Sequence, residues 1–186
     1  MVKPLFVIAT EIEYCSAKIF DSGIVADAVH AIITISGVFE PVEIDGVEYF
    51  DGAMSNPLTV NVLRRAGMDR VIAVSVVPTP EELRQCDIST PSPSSKSPSL
   101  ISRHLNYLAP GNILDIMRRS SMGAQMRLAQ LIEDNADVSS RPTLCNVSFK
   151  DYPRYRELID NGRETATMML LEIKHLATEP LSQTTN

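Results

Sequence analysis

The chain has 186 residues, 44% of them apolar, and a formal charge of −6. That length suits one domain with a real core, and the acidic balance argues against nucleic acid as the main partner. No apolar run approaches the length of a membrane span, and no signal-peptide pattern opens the chain.

Cys15, Cys86 and Cys145 are too far apart for metal-ligand spacing. They read as three inert thiols, without a disulfide framework, and a cytoplasmic location is expected from them.

In chain order, Pro4 to Ala9 ("PLFVIA") reads as a buried strand. "EIEYCSAKIF" alternates like an edge or hairpin strand. Residues 24–35 place Ile24, Ala28, Ala31 and Ile32 on one helical face. Two short strands follow, 41–44 and 47–50, joined by Asp45-Gly46, a strong two-residue hairpin signal. Pro57 to Ala66 reads as a helix with Asn56 as N-cap, stopped by Gly67. "RVIAVSVV" is the clearest buried strand of the chain.

Residues 79–99, rich in Pro and Ser, read as a mobile surface insertion. Residues 112–133 predict a long helix with Ile113, Met117, Ala124, Leu128 and Leu131 on one stripe. "RPTLCNVSF" reads as a late strand, and 153–177 as helix with a break at Asn161-Gly162. The tail 178–186 is expected to fray. Strands alternating with helices predict an α/β layer fold over 1–177. The chain opens directly on a buried-type strand, with nothing before it to cover one face.

Asp51, in "YFDGAMSNP", is the chemistry-bearing residue of interest. Its two readings are turn punctuation and a general base at a strand end. Asp45-Gly46 shows how readily an Asp-Gly pair arises as a turn. The other signatures are missing. No two glycines are four apart, so the Gly-x-Ser-x-Gly serine elbow is absent; none are two apart, so there is no dinucleotide fingerprint. His30, His104 and His175 are isolated, and His30 is expected to be packed in its helix. Met117, Met122 and Met126 read as core filling, and Arg118-Arg119 as a solvated face.

The stretch from Pro4 to Pro78 resembles the later half of a patatin-like phospholipase domain of the small bacterial type. "PLFVIATEIEYCSAKIF" looks like the strand pair that follows that family's nucleophile region. "AIITISGVFEPVEIDGVEYFDGAMSNPLTVNVLRRAGMDRVIAVSV" is similar to its block from a small-residue helix, through a Pro-Gly turn, to an Asp-Gly-Gly/Ala motif, a helix ending at Gly and a buried strand. Residues 111–173 resemble the trailing helix, strand and helix more loosely. Residues 79–110 and the tail are not covered.

By this resemblance Asp51 is the base of a Ser-Asp catalytic dyad, and Gly52 and Ala53 complete its motif. The family's serine attacks a lipid ester, the Asp takes its proton, and no cofactor or metal is used. The resemblance implies a three-layer patatin-like fold from which the nucleophile part is missing, since both the serine elbow and the Gly-rich oxyanion loop would lie before Pro4. Ser36 also stands where the family has Pro before Gly37. The implied function is part of a serine acyl hydrolase acting on a phospholipid or other acyl ester, inactive as an isolated chain. Its implied partners are an N-terminal patatin half or a second copy covering the opening strand. The alternative is a non-catalytic remnant of the fold that binds or builds but does not hydrolyse.

Overall fold

The computed structural model describes residues 3–36, 39–86, 113–142, 144, 147 and 151–178. It is a mixed α/β structure with a four-stranded antiparallel sheet and a two-stranded parallel one. The chain divides into two compact units, Met1–Pro57 with Ser94–Leu128, and Leu58–Pro93 with Ala129–Asn186.

The first unit carries β1 (Val7–Glu11), β2 (Ser16–Phe20), α1 (Val25–Ile32), β3 (Val42–Ile44) and β4 (Val47–Asp51). The sheet order is β2-β1-β4-β3, which puts β2 on an edge as its polar alternation predicts. Asp45 and Gly46 join β3 to β4 with φ of 53° and 79°. Two consecutive left-handed residues match the strand twist, which is why Asp-Gly suits this turn. In β1, residues Val7, Ile8, Ala9 and Thr10 are all buried. The expectation of an uncovered face on the opening strand is therefore wrong for these residues; ahead of the strand, Leu5 stands out in solvent with Lys3 and Pro4.

α1 packs on β1 and β4 through its small residues, Ala28 and Ala31. Ala9, Ala31 and Tyr49 form the core of this unit, with Phe20, Val42, Ile44 and Val47 against them. The Phe20 and Tyr49 rings meet edge-on, 5.3 Å between centroids. Ile24 and His30 are exposed, so the packed role expected of His30 is corrected. The small-residue face of α1 takes the sheet, and His30 falls on the other side.

The second unit carries α2 (Val60–Arg65), β5 (Ile72–Val74), α3 (Pro80–Gln85) and β6 (Val138–Ser140). α2 starts at Val60, not Pro57: its N-cap is Thr59, whose carbonyl accepts the N–H groups of Val62 and Leu63, while Asn56 N–H bonds Gly52 O in the preceding turn. It ends as expected at Gly67, φ 82°, where Gly67 N–H bonds Arg64 O and Met68 N–H bonds Leu63 O. That pairing satisfies the last carbonyls of the helix.

β5 runs parallel to β6. It is buried on one face only. Val71, Ala73 and Ser75 are enclosed, while Ile72, Val74 and Val76 are exposed, so the uniformly buried strand expected here is half right. Leu58, Val60, Val71 and Ala73 form the core, with Leu63, Ile132 and Ala136 against them.

The start of the expected insertion is α3, whose N-cap Thr79 and Glu82 form a reciprocal capping box. Residues 87–99 lie outside the described residues, as do His104, Cys145 and 179–186. Cys86 is disulfide-bonded, which corrects the reading of three thiols, whereas Cys15 is free and exposed. The cytoplasmic expectation loses the support it drew from them.

α4 (Ile113–Glu133) spans the expected long helix, but its stripe is different. Ile113, Met117 and Leu131 are exposed, and Met126 and Ala129 are buried. The face is set by Ser121 and Gln125, whose side chains both donate to Met54 Sδ. β6 precedes the late strand expected at 141–149, most of which lies outside the described residues. After a 3-10 turn (Tyr152–Arg154) come α5 (Tyr155–Met168) and α6 (Leu170–Thr178). The break falls at Met169, not at Asn161-Gly162. Thr165 and Thr167 donate to the carbonyls of Asn161 and Arg163, and such back-bonding weakens a helix just where this one ends.

One carboxylate ties the second unit together. Asp137 Oδ2 accepts Val71 N–H at 2.6 Å and Arg64 Nη2 at 2.8 Å. Arg64 also donates to the carbonyls of Met68, Asp69 and Asn135. The Val71 N–H first, and then Arg64, hold the Asp137 carboxyl below its ordinary pKa. A depressed carboxyl stabilises the fold above its unfolded pKa, and that contribution is lost as pH falls through the folded value. Asp137→Asn should lower the melting temperature at pH 7. Its acid limb below about pH 4 should be shallower than that of the natural chain, as read by calorimetry across pH.

Candidate active site

Asp51 is the last residue of β4, paired in register with Ala9 of β1. The chain turns there into a short 3-10 segment, Gly52–Met54, with Asp51 as N-cap. The turn is possible because residue 52 has no side chain. A Cβ on Gly52 would sit 1.9 Å from the Ile8 carbonyl oxygen and 2.7 Å from its carbon. Those atoms are backbone in a buried strand and have nowhere to go. This glycine is required for its size, whereas Gly46 is required for its φ.

The Asp51 backbone is held on both sides. Its N–H donates to Thr34 O at 2.9 Å, just past the end of α1. Its carbonyl accepts the Thr10 hydroxyl at 2.9 Å. The side chain bends forward, and Oδ1 accepts Ala53 N–H at 2.9 Å. Ser55 Oγ stands 2.8 Å from Thr10 Oγ1.

The carboxylate is half-buried and, among the described residues, has no cation beside it. Burial raises its pKa above the ordinary carboxylate value, and the Ala53 N–H offsets part of that rise. Only one oxygen is engaged; Oδ2 receives no donor from the described residues. A partly desolvated carboxylate with an open oxygen and no ion-pair partner is suited to accept a proton. Asp137 is the contrast: its Oδ2 accepts both Arg64 Nη2 and Val71 N–H, so a cation and a backbone donor hold its charge.

Both sequence readings of Asp51 meet in this geometry. One oxygen does the turn work that Asp-Gly chemistry predicts, and the other is left over. Gly52 and Ala53 have distinct parts, the first allowing the close approach to β1 and the second supplying the N–H. Sequence reasoning did not single out Thr10, Thr34 or Ser55. The signal for Thr10 was a polar residue continuing an apolar strand, buried to 1% exposure.

A cleft of about 910 Å3 in the first unit lies elsewhere. It runs between α1 and β3, lined by Asp27, His30, Phe39, Glu40 and Glu43, and Asp51 does not line it. It is open and acidic, and it offers no convergent donors for an oxyanion. No group of three metal-ligating side chains gathers among the described residues, and no described helix is long and apolar enough to cross a membrane.

No protein-family model matches the chain.

Two outcomes follow from this geometry. Gly52→Ala should destabilise the chain by about 3 kcal/mol or more, at the upper end of overpacking, because the clash is with backbone. Gly123→Ala, in α4 with open space around it, is the control. Chemical denaturation separates the two. For Asp51, a raised carboxyl pKa means the fold favours the protonated form. That contribution is present below the unfolded pKa and is lost as pH rises through the folded one. Asp51→Asn should therefore be at least as stable as the natural chain at pH 7, with any advantage vanishing in acid, as measured by thermal melts from pH 3 to 8.

Proposed function

We propose that this chain is the later, base-carrying part of a patatin-like serine acyl hydrolase. The single observation that carries the reading is the state of Asp51: half-buried, with one oxygen held by Ala53 N–H and, among the described residues, no cation beside it and no donor to the other oxygen. The ordered sequence block around the Asp51-Gly52-Ala53 motif supports it, as does the α/β architecture. The finer fold reading, three layers with the nucleophile part supplied from elsewhere, belongs to the same proposal.

Chemically, Asp51 Oδ2 takes the proton of a serine hydroxyl as that oxygen attacks an acyl ester carbonyl. The proton is passed to the leaving alkoxide, and the acyl-serine is released by water activated at the same oxygen. A base with a raised pKa holds a proton better at this step than an ordinary surface carboxylate. The Gly-x-Ser-x-Gly elbow that presents such a serine does not occur in this sequence. By the resemblance, the family's Gly-rich oxyanion loop would also lie before Pro4. The partner is therefore a patatin-like N-terminal half carrying both, and the substrate is a phospholipid or simpler acyl ester. Neither step calls for a cofactor.

The isolated chain should hydrolyse short-chain aryl esters no faster than background, since the oxyanion donors usually supply the largest single share of such catalysis. Joined to an N-terminal half with the serine elbow, the assembly should gain esterase activity. There Asp51→Asn should cost ~100-fold or more in turnover, the usual scale of general-base loss. Asp45→Asn, in the β3–β4 turn, should change it little. Labelling of the chain's own serines by a fluorophosphonate, with turnover, would refute the reading. So would an active assembly indifferent to Asp51→Asn, which would leave a non-catalytic remnant as the better account.

A further inference from the structure

We infer that Ser55 and Thr10 form a two-hydroxyl chain that sets the direction of the Asp51 carboxylate, which makes both of them positioning residues for the base. This rests on the catalytic reading of Asp51 for its meaning, but not for its geometry.

The donors can be assigned from the distances. Thr10 has one hydroxyl proton, and it goes to Asp51 O at 2.9 Å. The 2.8 Å contact between Thr10 Oγ1 and Ser55 Oγ must then carry the serine's proton, with Thr10 accepting. The competing acceptor for Ser55, Gly52 O, lies at 3.4 Å and is the poorer one. The order is Ser55 O–H to Thr10 O–H to the Asp51 carbonyl. Each bond in such a chain polarises the next. Thr10 is 1% exposed, so its hydroxyl is shielded from bulk solvent.

The consequence for Asp51 is a matter of torsions. In a continuing strand, a backbone N–H would hold its carbonyl. Here the chain leaves the ladder for the 3-10 turn, and the Thr10 hydroxyl takes over that role. Holding the carbonyl fixes the Asp51–Gly52 peptide plane, observed with ψ of 125° at Asp51. The Thr34 carbonyl fixes the other side through Asp51 N–H. With both planes set, Ala53 N–H arrives where Oδ1 can accept it, and Oδ2 is left pointing away from the turn's own donors. Without the hydroxyl chain, the peptide plane is free to rotate, the Ala53 bond loosens, and the carboxylate samples several directions. A base misplaced by a fraction of an ångström loses rate while substrate binding is unaffected.

The readout is the Ala53 amide, followed by NMR in the full chain as pH is varied. In the natural protein its shift should titrate with Asp51, because the carboxylate accepts its proton. Thr10→Val should collapse that titration and lower Ala53 exchange protection by roughly 5- to 10-fold, the scale of one net hydrogen bond. Thr10→Ser should restore both. Ser55→Ala, at a half-exposed position that leaves the core intact, should give the same change in smaller measure, and it decides the matter if Thr10→Val does not fold. Amide protection in the β1–β2 ladder should stay constant throughout. An Ala53 titration unchanged in folded Thr10→Val, or in Ser55→Ala if that variant alone folds, overturns the inference. In the assembled hydrolase, Thr10→Val should lower kcat with KM unchanged. The NMR result stands or falls without any catalysis, so failure of the hydroxyl chain and failure of the hydrolase reading are separately visible.

Discussion

The closeness of Gly52 to the Ile8 carbonyl governs the first unit. β4 can end against β1 only because no Cβ intervenes, and the end of β4 is where Asp51 lies. With that approach made, the Asp51 N–H reaches the end of α1, its carbonyl reaches Thr10, and the turn folds back to give Ala53 N–H to its side chain. The sheet, the helix and the turn therefore converge on a single residue. Buried apolar contacts among Ala9, Ala31 and Tyr49 hold the elements in place. The small side chains of α1 are what let the helix come near enough for Thr34 to take part.

The two units treat their central carboxylates in opposite ways. Asp137 is surrounded by donors, and its charge is stabilised by a backbone N–H and Arg64. Asp51 is partly desolvated, and its charge is disfavoured. A partly desolvated carboxylate without a charged partner costs stability that a paired one does not. The Asp45-Gly46 turn makes the same point from another side. It uses the same dipeptide for backbone φ alone, with nothing within 4 Å of where a Cβ at Gly46 would stand.

Much of the local structure was legible in the sequence, for identifiable reasons. Asp45-Gly46 predicts its own turn because only left-handed residues fit there. Gly67 predicts the end of α2 for the same reason. A short apolar run located β1, and the alternation read over 11–20 located β2 only from Ser16 onward, since residues 12–15 form the turn between the two. The misplacements have local causes too. Pro57 looked like a helix start, but the helix ladder is first entered by the Thr59 carbonyl. Asn161-Gly162 looked like a break, yet Gly162 sits inside α5 and the threonines that follow end it. The stripe of α4 was misread because polar contacts from Ser121 and Gln125 to Met54 choose its face, and hydrophobic spacing cannot see them. At the site, Asp51 was legible as a candidate while Thr10 was not, since a threonine in a strand looks like any β-branched residue until its hydroxyl is seen to be bonded.

β5 has a consequence of another kind. Residues 71–77, "VIAVSVV", carry no charge and no proline, and are rich in β-branched side chains. β5 pairs with β6, and Ile72, Val74 and Val76 look outward. Short, uncharged segments of this composition stack on their own kind when an edge is open. The flanking residues temper this: Arg70 stands immediately before the run and Pro78 immediately after it. A positive charge and a residue that cannot donate to a ladder are the usual gatekeepers of such strands. The same seven residues that supply half of a core thus have the composition of a stacking segment, bounded by two neighbours that limit how far a stack could extend.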